Sequence, residues 1–486
     1  MKNALLASLI SICCTLVTFS CHPEMMDPDP DALPYFSTDT VSFDTVFTTI
    51  GSTTLKFMVY NHSSRPLVIQ QIALAGGAAS FFRLNIDGLP AISVNNVEIP
   101  PDDSLYIFVA VTVDPTNNNN PVLIQDSVVF ITNGKVKDVK LIAFGQDVHL
   151  INGEILSTQT WTNDKPYLIY HSAALDTAQL LTIEEGTQIY FHRNSSMIIW
   201  GTLIVNGTWE QPVIFQNDRL EREYDIIAGQ WGTIYIDAIS KGNIINHAVI
   251  KNAIAGIQIG YPSMFDVPDL TLSNSFILNT SFAGIYAFGA DITCYNTIIA
   301  NTAGAATALL RGGKYRFFHC TVSNNGVYGS NRTSPSVILS NIYINREYDE
   351  VTGEYQNVRY DGDLTRADFI NCIINGNLNH ELQFTNNGTQ LFQYYFSHCL
   401  VKAHEDSIDT GNTEHYNTLV LNKDPLFMND VDRYHLNYRL DTLSPAKDTG
   451  DSAIPGLFPF LNTDISGYLR TLDGKPDLGV FERKED

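Results

Sequence analysis

Three short stretches decide the fold: Asn274-Ser275-Phe276-Ile277, Asn296-Thr297-Ile298-Ile299 and His319-Cys320-Thr321-Val322. Each opens on Asn or His, passes through a small or sulfur-bearing residue, and closes on an apolar pair. The same frame starts at Asn246, Asn341, Asn371 and His398, so the seven starts are separated by 28, 22, 23, 22, 30 and 27 residues. Three places on from each start stands Val249, Ile277, Ile299, Val322, Ile344, Ile374 or Val401. All are β-branched, as a buried strand position favours. Several frames lead to a second strand opened by glycine: Gly256-Ile257, Gly284-Ile285, Gly304-Ala305 and Gly326-Val327. A period in the twenties with short strands is the mark of a β-solenoid or a leucine-rich array, and propeller blades need about 40 residues. The recurring residues here are Asn, Ile, Val and Gly, not Leu, so each repeat is predicted to be one coil of a parallel β-helix. Parallel crossovers are right-handed, and residues 149–440 at roughly 25 per coil give about 11–12 coils. Residues 441–486 are expected to close the helix.

Stacking dictates the rest of the frame. Equivalent asparagines tolerate the left-handed turn conformation and can form ladders from coil to coil. The position after the start shares a strand face with the β-branched position. Cys320, Cys372 and Cys399 all occupy it, and so are expected to stack in the core as small hydrophobes. No Cys-x-x-Cys or His-plus-Cys spacing suggests zinc, and no metal site is expected.

Residues 35–148 read differently. Alternating runs at Thr53–Tyr60, Pro66–Ala73, Ser104–Val113, Gln125–Thr132 and Val136–Phe144 are divided by polar turns, and Asn133-Gly134 is a two-residue hairpin signal. About seven strands without helical periodicity predict an immunoglobulin-like β-sandwich. The whole chain is thus expected to be all-β.

The chain carries 29 Lys+Arg against 52 Asp+Glu in 486 residues, a formal net charge of −23, with 44% hydrophobic residues. That apolar content excludes a disordered acidic tail. The charge excludes a nucleic-acid binder that works by neutralising phosphates. Lys2 and the apolar stretch from Ala4 to Phe19 form a secretory h-region, too short to span a bilayer. The stretch ends Thr18-Phe19-Ser20-Cys21, and His22-Pro23-Glu24-Met25-Met26-Asp27-Pro28-Asp29-Pro30-Asp31 follows. Alternating Pro and Asp builds neither helix nor sheet, so residues 21–34 are read as an extended tether.

Ser20-Cys21 resembles the lipobox of bacterial lipoproteins, with Thr18 where Leu is commonest. This implies a signal peptide at 1–20 and lipidation of Cys21. The acidic stretch resembles that of Bacteroidetes surface lipoproteins, implying an outer-membrane anchor with exposure at the cell surface. Glu185-Gly186-Thr187-Gln188-Ile189-Tyr190-Phe191 and Trp200-Gly201-Thr202-Leu203-Ile204-Val205-Asn206-Gly207-Thr208 resemble the opening coils of right-handed parallel β-helix proteins. Asp424-Pro425-Leu426-Phe427, Tyr434-His435-Leu436, Ser444-Pro445-Ala446 and Asp477-Leu478-Gly479-Val480-Phe481-Glu482 are similar to their closing segments in the pectate-lyase-like superfamily. The superfamily includes lyases, hydrolases and adhesins, so the resemblance implies a fold rather than an activity.

Lyases on this fold hold calcium in a carboxylate cluster and use Arg or Lys as base. The densest acidic stretch here, Glu347 to Glu354 continuing through Arg359, Asp361, Asp363 and Arg366, does not match that spacing. No catalytic residue is carried over, and calcium enters only under a lyase reading. Two insertions are nonetheless candidate ligand-binding loops: Arg219 and Arg222 leading to Trp231, and Arg359, Asp361, Asp363 and Arg366. The leading expectation is glycan or surface-partner binding without catalysis. The alternatives are a calcium-dependent polysaccharide lyase or glycosidase, and a structural adhesin. Asp followed by Ser or Thr and an aliphatic or similar residue occurs at Thr40, Thr45, Ser104, Ser127, Thr177, Ser407, Thr442 and Ser452. This resembles the O-glycosylation sequon of exported Bacteroidetes proteins. Intact-mass measurement on native protein is expected to show a chain starting at Cys21 that carries lipid, with glycan on a subset of these sites. A bare polypeptide mass overturns that expectation.

Overall fold

The computed structural model describes residues 30–115, 118–350, 352–428 and 437–484. The h-region, Cys21, most of the tether and Tyr434-His435-Leu436 lie outside the described residues. Among the described residues no helix is long and apolar enough to cross a membrane. The chain divides into two compact units, to Asp147 and from Val148.

The first unit contains two five-stranded sheets. One orders Tyr35–Phe36, Leu55–Tyr60, Ser104–Val111, Phe82–Ile86 and Leu89–Pro90, all antiparallel. The other orders Thr40–Phe47, Lys135–Gln146, Val122–Thr132, Leu67–Leu74 and Ser93–Ile99, the first pairing parallel and the rest antiparallel. Alternate residues of both sheets, among them Phe57, Val59, Ile107, Ile69, Phe130 and Leu141, share one core. Asn133 and Gly134 both take positive φ, 51° and 71°, and join Thr132 to Lys135 in the expected two-residue hairpin.

The second unit is built on a 26-stranded sheet in which most strands pair in parallel with the third strand after them. Three strands make a coil, and coils stack as in a solenoid. One file of paired positions runs His149, Tyr167, Ile189, Phe215, Ile250, Ile277, Ile299, Val322, Ile374, Val401 and Leu421. These eleven rungs carry the β-branched positions of the repeat. Ile250, Ile277, Ile299, Val322, Ile374 and Val401 are all fully buried. The frame starts lie at the turn before this file. Asn274, Asn296, His319, Asn371 and His398 all have φ between 47° and 56°, the left-handed region that Asn and His enter more readily than most residues. The amides also ladder as expected. Asn274 Nδ2 donates to Asn246 Oδ1 at 2.8 Å, and Asn296 Nδ2 to Asn274 Oδ1 at 3.1 Å.

Two of the seven frames are misplaced in the sequence reading. At the first, the left-handed residue is His247, not Asn246, because Asn246 is still in strand, paired with Asn206 and Ser273. The buried position is accordingly Ile250, and Val249 is half-buried. At Asn341 there is no coil turn. Ile342–Asp349 and Glu354–Asp361 form an antiparallel hairpin outside the large sheet, and Ile344 is 55% exposed. The solenoid resumes at Leu364–Ile370. One coil therefore carries both this hairpin and the preceding loop, which is held by Arg332. That guanidinium grips the carboxylate of Glu381 at 2.5 and 2.8 Å with both side chains fully buried. Gly326-Val327 opens no strand, since the next begins at Val337. At Gly284 the glycine is needed for close stacking, because a Cβ would sit 2.4 Å from Ile299 Cγ2 and 2.5 Å from the Ala306 carbonyl.

The cysteines stack as the frame requires. Cys320, Cys372 and Cys399 lie on successive rungs, all buried and free. Cys294 joins them from another file, its Sγ 3.7 Å from that of Cys320. Burial pushes the Cys320 and Cys399 thiols well above the ordinary range, which keeps them protonated and unreactive. On the Cys294 file, Phe317, Phe369 and Phe396 stack face to face with centroids 4.7 and 4.8 Å apart.

Residues 437–484 are not an end-cap. They run back along the outside of the coils, covering outward-facing residues. Tyr438, Ile465, Val480 and Phe481 pack on Ile298 and Ala300, Leu440, Ala446 and Leu478 on Ile373 and Leu400, and Ile454 and Leu461 on Phe318. Their polar anchors are the left-handed turn residues. Asn371 accepts from the Asp451 amide at 2.8 Å, its carbonyl accepts from Gly479 at 2.8 Å, and Arg470 Nη2 donates to Asn296 Oδ1 at 2.9 Å. Removing the central ring of the phenylalanine stack tests the core: Phe369→Ala is expected to cost about 3–5 kcal/mol in chemical denaturation.

Candidate functional site

The residues singled out in the two insertions do not converge. Trp231 is fully buried, stacked on Phe191 at 4.1 Å, and donates its indole N–H to the Lys251 carbonyl at 2.8 Å. It is a core residue, and the expectation that it grips a ligand is corrected. Its place after a charged loop gives no sign of the bridge to Ala253 that draws it inward. Arg219 is committed to Glu221 at 2.9 Å and lies 4.0 Å over the Tyr224 ring, and Arg222 begins a short 3-10 turn. Arg359 pairs with Asp361 at 2.7 Å on the hairpin. Asp363 accepts from the Leu391 amide at 2.9 Å, and Arg366 pairs with Asp368 on a solenoid strand. Arg219, Arg359, Asp361, Asp363 and Arg366 each find a partner nearby, and no convergent set forms. Of the sequon residues, Thr177, Ser407, Thr442 and Ser452 are exposed, whereas Thr40, Thr45, Ser104 and Ser127 are half-buried.

Two clefts lie elsewhere, where residues 437–484 meet the coils. One, of about 810 Å³, is lined by Lys402, Lys423, Asp424, Leu426, Phe427, Asp441 and Leu443 among others, and Lys402 Nζ is spent on the Gly376 carbonyl at 2.7 Å. The other, of about 750 Å³, has three aromatic residues in its lining, Trp209, Tyr295 and Phe460. Asn206, Asn246, Ser273 and Tyr295 are paired residues on four successive coils and run along its floor. His247 and Asn274 project from the turn beside them, and Phe460, Thr463, Asp464, Ser466 and Gly467 form the opposite wall. Trp209 and Glu210 close one side. A Cβ at Gly207 would stand 2.1 Å from the His247 carbonyl, so glycine is needed for the turn that presents Trp209. Tyr295 and Phe460 rings meet at 4.6 Å, and Trp209 rests edge-on against Phe481 at 6.2 Å.

The polar groups of this groove are suited to holding a ligand. The asparagine amides offer both donors and acceptors, and aromatic faces beside a few placed polar groups are the usual makeup of a small-ligand site. Its two acids are not an acid–base pair. Asp464 Oδ1 accepts from the Ser466 amide and hydroxyl and the Tyr468 amide, and its Oδ2 from the Glu482 amide. Burial lowers the pKa of His247, with Glu210 opposing, so the imidazole is neutral at neutral pH.

Sequence reasoning missed this groove because Trp209 and Phe460 meet only when the C-terminal segment folds back. The available signal was an exposed-looking Trp209 in a Gly-Thr-Trp-Glu turn.

No protein-family model matches the chain, and no curated protein matches it. Among solved structures, a family 123 glycoside hydrolase from Clostridium perfringens, studied for glycolipid glycan hydrolysis, aligns at 6% identity with a TM-score of 0.19. The alignment covers 27% of this chain and 30% of that one. A PapD-like domain of human CEP192 aligns at 9% identity over 26% of this chain and 96% of that one, with a TM-score of 0.17. At these scores neither guides a reading of activity. What the structure establishes is an all-β chain with a large parallel, solenoid-like sheet.

The segment that walls the groove is held by a buried cluster of ionisable side chains. Arg470 and Glu482 side chains are both fully buried, 3.4 Å apart, and Asp477 donates its amide to the Glu482 carboxylate. Burial, reinforced by Asp477, pushes Glu482 up to about 9. A carboxyl raised in the folded state contributes stability when protonated and loses it as pH rises from its unfolded value toward 9. The segment is therefore expected to loosen between pH 7 and pH 9. Limited proteolysis of residues 437–484 should accelerate over that range in wild-type protein and stay flat in Glu482→Gln.

Proposed function

We propose that this protein is a cell-envelope lipoprotein, anchored to the outer membrane through Cys21 and exposed at the cell surface, that binds glycan without transforming it. In this reading the second unit is a right-handed parallel β-helix of the pectate-lyase-like kind. The first is an immunoglobulin-like spacer that carries it away from the Pro/Asp tether. The observation that carries the proposal is the groove beside Trp209, Tyr295 and Phe460, floored by in-register polar side chains. Binding without catalysis is supported by its acids: Asp464 is saturated with hydrogen bonds, leaving Glu210 without an acidic partner of the kind glycoside hydrolysis uses. The competing lyase reading requires carboxylates that gather calcium. Among the described residues no group of three or more metal-ligating side chains is assembled.

A glycan array probed with the native protein is expected to give binding, and the bound glycans should be recovered intact. Unsaturated products released from acidic polysaccharides on adding calcium would replace this reading with the lyase. Absence of any binding would leave the adhesin or scaffold reading.

A further inference from the structure

Resting on that reading, we infer that the groove selects uncharged oligosaccharides and rejects uronate or sulfated ones. The first ground is charge. Among the described lining residues there is no Lys or Arg, and the ionisable groups are Glu210, His247, Asp464 and the Tyr295 phenol. Of the cations around it, Arg470 is fully buried on Asn296 and the Val480 carbonyl, Arg439 lies 4.5 Å over the Phe481 ring, and Lys484 lies 5.3 Å over the Tyr468 ring, all outside the lining. An anionic sugar would shed water beside two carboxylates with no Lys or Arg in the lining to receive it, an arrangement that is costly when desolvated.

The second ground is the hydrogen-bonding complement. Asn246 Oδ1 is taken by Ser273 and Asn274, so the ladder amides offer chiefly their remaining N–H donors, while the Thr271 and Thr208 hydroxyls can donate and accept as a sugar hydroxyl does. The third is length. Four successive rungs, from Asn206 to Tyr295, span about 14 Å at the ordinary spacing between strands, so the occupant is a short oligosaccharide lying along the solenoid axis.

The test is calorimetric titration of the full chain with trimers and tetramers of two sets: neutral gluco-, manno-, galacto- and chito-oligosaccharides, and oligogalacturonate, oligoalginate and heparin fragments. At least one neutral set is expected to bind and the acidic sets not. Phe460→Ala, at an exposed position that leaves the solenoid core intact, is expected to weaken neutral binding tenfold or more. Glu210→Lys, exposed on the rim, is expected to bring in measurable binding of an acidic set. Acidic oligosaccharides that bind wild-type protein as tightly as neutral ones, with Phe460→Ala weakening them, would overturn the selectivity while leaving glycan binding intact. Binding of neither set would overturn the glycan reading itself. Neutral binding indifferent to Phe460→Ala would place the site outside this groove and overturn the inference.

Discussion

Parallel pairing of each strand with the one a full coil later is the constraint on which the second unit rests. Once the backbone of one coil is hydrogen-bonded to the next, every position in the sequence has a fixed neighbour above and below at one strand spacing. Side chains must then tolerate their own kind, or something of similar shape, in register. Aliphatic β-branched residues, flat phenylalanine rings and thiols all do so in the interior. At the turns, asparagine does so because its amide donates to one neighbour and accepts from the other, while its backbone accepts the left-handed bend.

The same constraint explains where function can gather. A solenoid has no central cavity, since its interior is a dry, narrow column, so a ligand site has to be assembled on its flank. Here the flank is roughened by a segment laid across the turns. Residues 437–484 convert outward-facing Ile298, Ile373 and Leu400 into core. Where they part from the coils they leave clefts with the polar turn on one side and aromatic side chains on the other. Fold and site are therefore made by one event, the docking of that segment on the asparagine turns.

What could be read from the sequence follows this division. Residues whose role is set by stacking were visible, because stacking imposes a period. The left-handed turns at Asn274, Asn296, His319, Asn371 and His398, the buried files behind them and the cysteine stack all announce themselves by spacing. The frame failed where a neighbour of the same residue class offered a second start, as with Asn246 beside His247. It failed again at Asn341, where a hairpin copied the pattern without joining the sheet. The groove was invisible because no period links Trp209 to Phe460. A docked segment obeys surface complementarity, which one sequence does not display. Charged insertions attracted attention for the opposite reason: Arg219, Arg359 and Arg366 are conspicuous in sequence but satisfied by acids two residues away.

The backward course of the C-terminal segment also bears on what the flank of the coils shows to water. Without that segment the flank carrying Ile298, Ile373 and Leu400 is uncovered. A chain cut short before residue 437 would keep its solenoid and display a greasy stripe along one side. Residues 437–484 thus act as a seal that turns an apolar flank into a wettable surface.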